Sequence, residues 1–285
     1  MAAIKIVTDS TADLGPELTA RYGITVVPLT VQFDLESYLD GVEIDTQKLF
    51  SLVEEKKRLP KTASPSPGAF HAAFAAATAD GSDVIFIGIS SKFSSTVQNA
   101  RIAADMLPDG RVSTFDSANL STGIGLLVLL AADMARAGSS RAEILAALED
   151  ARPKVRSAFM IDTLEYLHKG GRCSGVQALA GALLHIRPII AVVDGGMVVA
   201  GKTRGARQKA LDALLDRLTS DAEAGAVRPQ RVFITHTGVH EDALYLADGV
   251  RRLLPGVGEV LETPAGSVVG SHCGPGTIGV LYMVK

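Results

Sequence analysis

Short apolar runs alternate with amphipathic stretches through the first half of the chain. Ile4–Thr8, Val26–Val31, Val84–Ile89 and Val112–Phe115 are β-branched or almost wholly apolar and predict strands. Val84–Ile89 reads as a strand buried on both faces. Between them, Thr46–Lys57, Pro67–Ala79, Ser94–Leu107 and Thr122–Ala137 predict helices. The first presents Leu49, Phe50 and Val53 on one face, with Asp45 placed as N-cap. The second has Ser66 as cap and Pro67 at the first helical position. Ser140-Arg141-Ala142-Glu143 is a capping box that opens another helix. This β–α rhythm predicts a parallel sheet with helices on its faces.

The pattern changes in the second half. Ile189–Val193, a Gly195-Gly196 turn and Met197–Ala200 predict a β-hairpin. Helical patterns follow at Ala206–Leu218 and Glu241–Leu253, and strand-like runs at Val232–Thr235, Val260–Thr263 and Ile278–Val284. Hairpins mixed with helices predict an α+β unit. The change falls near Arg152–Ser157. The expected architecture is therefore α/β in two domains: a parallel-sheet domain with helices on its faces over residues 1–155 and an α+β domain over 156–285. The glycine-rich stretch Ala265–Gly279, which carries His272 and Cys273, reads as a loop.

Composition narrows the function classes. The 285 residues allow about two domains. Net charge is −3 and aromatics are 5 %, with no Trp, which argues against a nucleic-acid surface. The N-terminus MAAIKIVTDS lacks a basic segment followed by a long apolar one, so no signal peptide is expected. The apolar run Ile124–Ala132 is too short to cross a bilayer. Two cysteines, Cys173 and Cys273, make no disulfide framework, and a cytoplasmic protein with reduced thiols is expected.

Polar chemistry gathers where an open α/β sheet binds ligands, outside the carboxyl ends of its strands. Asp9-Ser10-Thr11, Ser90-Ser91, Asp116-Ser117 and, in the second half, Thr235-His236-Thr237 all lie at such ends. Two hydroxyl-rich loops, Lys61–Ser66 and Ser90–Thr96, precede helices whose free N–H groups favour an anion. Each hydroxyl alone is equally a helix cap. Asp162–Arg172 predicts a short capped helix stopped by Gly170-Gly171, which leaves Arg172 on a sharp turn.

Three motifs are weighed and set aside. Gly196–Thr203 matches the phosphate-loop expression, but its Met-Val-Val-Ala centre favours a strand. His272, Cys273 and Cys173 have metal-binding side chains, but no CxxC or HxxxH spacing accompanies these three, and no metal is expected. No G-x-S-x-G elbow is present. A Ser–His hydrolase or transferase of acyl or phosphoryl groups, with Ser94 or Ser10 as nucleophile and His272 as base, stays open as the alternative.

Six pieces in order, TDSTADL (Thr8–Leu14), KTASPSPG (Lys61–Gly68), SSKFSSTVQNA (Ser90–Ala100), DTLEYLHKGGR (Asp162–Arg172), KTRGARQKA (Lys202–Ala210) and GSHCGPGTIG (Gly270–Gly279), together resemble the DegV family of bacterial fatty-acid-binding proteins. The resemblance implies a Rossmann-like first domain and a second domain with a mixed sheet and helices, with a long-chain fatty acid held between them, no cofactor and no turnover of the protein's own. It implies a separate ATP-binding fatty acid kinase subunit that converts the presented carboxylate to an acyl-phosphate for phospholipid synthesis, and transient membrane contact for lipid exchange. It places the carboxylate on Thr62, Ser94 and His272, with Ser10, Ser64, Ser95 and Cys273 behind them. Arg172 and Arg204 fall where the family has arginines linked to the kinase contact or site architecture. Ala63, Ser95 and Cys273 depart from the family pattern, which has a second hydroxyl, a glycine, and an apolar or hydroxyl residue there.

Overall fold

The computed structural model of the protein describes residues 3–108, 110–172, 176 and 186–285. The apolar runs of the first half assemble into a four-stranded, all-parallel sheet in the order β2 (Thr25–Val27), β1 (Ile4–Asp9), β6 (Asp83–Gly88), β7 (Val112–Asp116). Val84, Ile85, Phe86 and Ile87 are fully buried, as an unbroken apolar run in a central strand requires. Helices α1 (Gly15–Tyr22), α3 (Pro67–Thr78) and α4 (Thr96–Asp105) connect these strands. Asp45 caps α2 (Thr46–Lys56) by accepting from the Lys48 N–H at 2.7 Å, and Ser66 caps α3 by accepting from Ala69 at 3.2 Å. The capping box at Ser140 and Glu143 opens α6 (Arg141–Ala151).

The second half builds a six-stranded mixed sheet in the order β10 (Gly196–Arg204), β9 (Ile186–Val193), β8 (Val155–Met160), β13 (Ile278–Val284), β11 (Val227–His236), β12 (Glu259–Pro264). Helices α8 (Gln208–Glu223) and α9 (His240–Leu253) pack on it and close a core of Leu211, Leu214, Leu218, Ile234, Leu246 and Val280. Helix α5 (Thr122–Arg136) joins the two sheets. It touches β1 and β6 on one side and β8, β11 and β13 on the other. Its residues Thr122–Leu129 are buried all round, so the Ile124–Ala132 run is a core helix between layers.

Four local readings change. Val26–Val31 is not one strand: the chain leaves the parallel sheet after Val27 and re-enters an antiparallel sheet as β3 (Thr30–Phe33). Pro28 sits at the break, where it has no N–H to give either ladder. That small sheet, in the order β4 (Glu36–Leu39), β3, β5 (Lys61–Ala63), has no counterpart in the sequence reading. The hairpin joining β9 and β10 turns at Asp194-Gly195, one residue earlier than expected, with both residues at positive φ as the twist of such a turn requires. The helix expected over Asp162–Arg172 is shorter, α7 (Glu165–Lys169), and its first N–H donates to Thr163 Oγ1 at 3.1 Å.

The fourth change concerns His272. Ala265–Gly279 is not simply a loop: Ser267–Cys273 forms helix α10. Its first N–H groups are taken by carboxylates distant in sequence. Asp13 Oδ1 accepts from Gly266 at 2.8 Å and Asp40 Oδ1 accepts from Ser267 at 2.7 Å. Gly270 keeps the helix close to α2, because a Cβ there would lie 3.1 Å from Leu49. Gly274, at φ +80°, ends it.

Candidate functional site

A cavity of about 300 Å3 lies between the two halves of the chain, at the carboxyl ends of β1 and β6. The first half contributes Thr11, Leu29, Thr62, Ala63, Ser64, Ile89, Phe93, Ser94, Ser95 and Leu120. The second contributes Leu167, Arg172, Met197, Val268, Val269, His272 and Cys273. Apolar side chains make most of the wall and hydroxyls gather at one end. That distribution fits a ligand with an apolar body and a polar head. A void of about 20 Å3 shares Leu120, Val269 and Cys273 with the cavity and leads on towards Phe159, Ala265 and Leu281.

The polar end is held by three elements. Strand β5 brings Thr62 in by pairing with Val31 of β3. Helix α10 brings His272. The two side chains meet, with Thr62 Oγ1 2.8 Å from His272 Nε2, although 210 positions separate them. The loop before α4 supplies the remaining hydroxyls. Ser94 Oγ lies 2.8 Å from Thr96 Oγ1 and accepts from the Thr96 N–H at 3.3 Å. Ser64 Oγ and Ser95 Oγ are 2.9 Å apart, and Asn99 Nδ2 donates to Ser64 Oγ at 3.1 Å.

His272 is neutral at physiological pH. Burial, helped by the nearby Arg172 guanidinium, lowers its pKa from 6.5 to about 4. Its Nδ1 is buried with no hydrogen-bond partner and faces Gly170, where a Cβ would come within 2.3 Å of it. Burial also pushes the Cys273 thiol up to about 12, with Asp13 adding to the effect, so this sulfur stays a thiol at neutral pH. Arg172 is held in the wall: Nε donates to the Phe93 carbonyl at 3.3 Å and Nη1 to the Gly170 carbonyl at 2.8 Å.

Thus Thr62, Ser64, Ser94, Ser95, Arg172, His272 and Cys273 surround one cavity. Ser10 does not line it. Its Oγ accepts from the Leu29 N–H at 3.0 Å and so supports the wall from behind. Arg204 does not line it either; it is exposed on β10 and its side chain has no hydrogen-bond or ion-pair partner among the described residues. Cys173 lies outside the described residues. Gly196–Thr203 is strand throughout, so it cannot form a phosphate loop. Neither serine of the hydrolase alternative meets His272 among the described residues: the ring nitrogen is occupied by Thr62, Ser94 by Thr96 and Ser10 by Leu29.

Three buried carboxylates lie beneath the site, of which only Asp9 was singled out from the sequence. Asp9 accepts from Ile89 N–H at 2.9 Å and Thr11 N–H at 3.0 Å, and Asp13 accepts from Ser121 Oγ at 2.6 Å. Burial raises Asp9 to about 6 and raises Asp13 and Asp40 as well. The TDST motif showed the first carboxylate, but not that all three would anchor α10 and the cavity floor. An HxxxH spacing, His236 to His240, was also passed over; Glu262 completes that group. No described helix is long and apolar enough to cross a membrane.

Comparison with known proteins gives this geometry a family context. The profile described as "Uncharacterised protein, DegV family" matches residues 3–285. A DegV domain-containing protein of Deinococcus radiodurans is 38 % identical over 281 residues, covering 98 % of this chain and 97 % of that protein. A DegV family protein from Thermus thermophilus, whose structure is described in terms of fatty acid binding, superposes with a TM-score of 0.91 at 35 % identity, covering 99 % of this chain and 100 % of that one. A stearic-acid-binding protein from Eubacterium ventriosum superposes with a TM-score of 0.90 at 27 % identity, covering 100 % of this chain and 99 % of that one. The match runs through every element that builds the cavity, from β1 to β13, and on that ground the chain belongs to the DegV family.

Proposed function

We propose that this protein binds one long-chain fatty acid, with the carboxylate at Thr62, Ser94 and His272 and the alkyl chain along the apolar wall. The observation that carries this reading is the Thr62–His272 pair at the hydroxyl-rich end of an otherwise apolar cavity. Family relatives described as fatty-acid-binding proteins support it. Burying about fifteen methylenes offers on the order of 12 kcal/mol before the costs of association. The polar groups therefore mainly set which end of the ligand faces the hydroxyls.

Hydrogen-bond accounting sets the direction of the pair. A neutral His272 carries one N–H. On the orphaned Nδ1 that proton would be a buried, unused donor, the costlier kind of orphan. On Nε2 it donates to Thr62 Oγ1. The threonine hydroxyl is then free to donate to a carboxylate, as Ser94 can. This arrangement binds the ionised acid without any formal positive charge on the histidine.

The reading extends to a division of labour. The change from parallel to mixed sheet at Val155 supports domains of residues 1–155 and 156–285, with the ligand between them. The protein presents the carboxylate and a separate ATP-dependent kinase subunit phosphorylates it. Arg172, tied into the wall, shapes the site, whereas exposed Arg204 is free to meet the partner. Native mass spectrometry followed by organic extraction tests the core claim: a stoichiometric adduct released as a free long-chain acid is expected. A clean mass together with no binding of added stearic acid would overturn it. ATP-dependent acyl-phosphate formation on adding the kinase subunit, reduced by Arg204→Ala with fatty-acid binding intact, tests the rest.

A further inference from the structure

A second cluster of ligand-type side chains sits at the far corner of the mixed sheet. His236 ends β11, His240 opens α9, and Glu262 lies on neighbouring β12, where Ile234 pairs with it. Glu262 Oε1 is 2.9 Å from His236 Nε2 and 2.6 Å from His240 Nδ1. One ligand atom from each of the three residues lies within 4.8 Å of the others. We propose that His236, His240 and Glu262 form a binding site for one divalent transition-metal ion of the zinc class, with water as the fourth ligand.

The geometry and the donor set both favour this. Zinc sits about 2.0–2.2 Å from imidazole nitrogen and carboxylate oxygen, so its ligand atoms lie a little over 3 Å apart. A small opening of the two contacts through Glu262 makes that room. Two imidazoles with one carboxylate select zinc-like ions over magnesium or calcium, which prefer all-oxygen sites. His240 and Glu262 are reachable from solvent, with side chains 62 % and 29 % exposed, while His236 is anchored at 9 %. The anchored ring gives a fixed first ligand and the exposed ring an entry path.

The protons balance simply. His236 Nδ1 now accepts from the Val239 N–H at 3.1 Å, so its proton is on Nε2 and points at Glu262. Metal binding at Nε2 moves that proton to Nδ1. Nδ1 then no longer accepts from Val239, so the turn before α9 has to shift to part the two N–H groups. No net proton leaves His236. His240 would bind through Nδ1, the atom that faces Glu262.

The ion would clamp β11, β12 and the first turn of α9. The same corner holds the segment that leads to the lipid site, because the His236 carbonyl accepts from the Ala265 N–H at 2.8 Å, just before α10.

Calorimetric titration of tag-free, chelator-treated full-length protein with ZnCl2 tests the proposal. One equivalent is expected to bind, with the unfolding midpoint raised in proportion to the logarithm of free zinc. His240→Ala and Glu262→Gln should each weaken binding about tenfold or more and remove the thermal shift, without changing stearic-acid binding. Cobalt in place of zinc should show the visible bands of a tetrahedral nitrogen–oxygen site and no thiolate charge-transfer band. Absence of stoichiometric binding, or binding unchanged in both variants, would overturn the proposal. So would a thiolate band, because it would place the ion on a cysteine.

Discussion

His272 and His240 are the same residue type in opposite surroundings. His272 lies on a buried helix beside an arginine; desolvation and that charge lower its pKa to about 4. His240 lies at the surface against Glu262, which raises its pKa above 6.5. One ring is kept neutral so that it can orient a threonine; the other is kept ready to carry charge. The comparison shows that a histidine in a motif has no chemistry until its burial and its nearest charge are known.

The contrast can be broken most strongly with pH. The folded pKa of His272 is depressed, so its contribution to stability is full above pH 6.5 and is lost as pH falls towards 4. That loss is about 3 kcal/mol. His240 works the other way: its contribution is full below pH 6.5 and fades as pH rises through its raised value. Chemical denaturation of ligand-free His272→Gln between pH 7 and 4.5 should show a flatter acid limb than the unsubstituted protein. Asp9 and Asp13, raised by burial, bind protons on folding and oppose this trend in both proteins, so the difference isolates the histidine. NMR titration should find one histidine that titrates near 4 and one above 6.5. Coincident titrations would erase the contrast.

Thr62→Val should cost about 2 kcal/mol of fatty-acid affinity, roughly thirtyfold, because a hydrogen bond to a charged group is removed. The ligand-free unfolding midpoint should fall as well, because the buried His272 N–H loses its acceptor. Unchanged affinity despite that fall would make Thr62 a structural residue. Gly170→Ala sharpens the comparison from the other side. Its Cβ would press on His272 Nδ1 at 2.3 Å and on the Tyr166 carbonyl at 2.9 Å. A loss of about 1–2 kcal/mol in stability is expected, with weaker ligand binding as the ring is displaced. The smallest effect is expected from Ser95→Gly, which removes the exposed Ser64–Ser95 hydrogen bond. Affinity should change by about twofold or less, measured by displacement of a fluorescent fatty acid.

Local pattern accounts for much of what was legible. The Val84–Ile89 run, the Asp45, Ser66 and Ser140 caps, and the β9–β10 hairpin are short-range features whose physics is contained in a few neighbouring residues. The hydroxyls of Lys61–Ser66 and Ser90–Thr96 were legible for the same reason: small polar residues before a helix bind its N–H groups or a ligand. Helix α10 was not legible. Its N-terminal N–H groups are satisfied by Asp13 and Asp40, more than 200 positions away, and its glycines read locally as a loop. Arg204 and Ser10 were grouped with the site by resemblance, and only the fold separates a wall residue from a supporting or exposed one.

By itself the sequence determined the alternation of strand and helix, the parallel first sheet, the slightly acidic and aromatic-poor composition, and the set of hydroxyls available for an anion. These follow from periodicity, capping and composition, which act over a few residues. The tertiary structure alone decided that Thr62 and His272 meet, that two carboxylates, Asp13 and Asp40, hold the helix bearing the histidine, and that His236, His240 and Glu262 converge. Each of those depends on strand order and packing between sheets, where contacts between distant residues fix dielectric, charge and distance together.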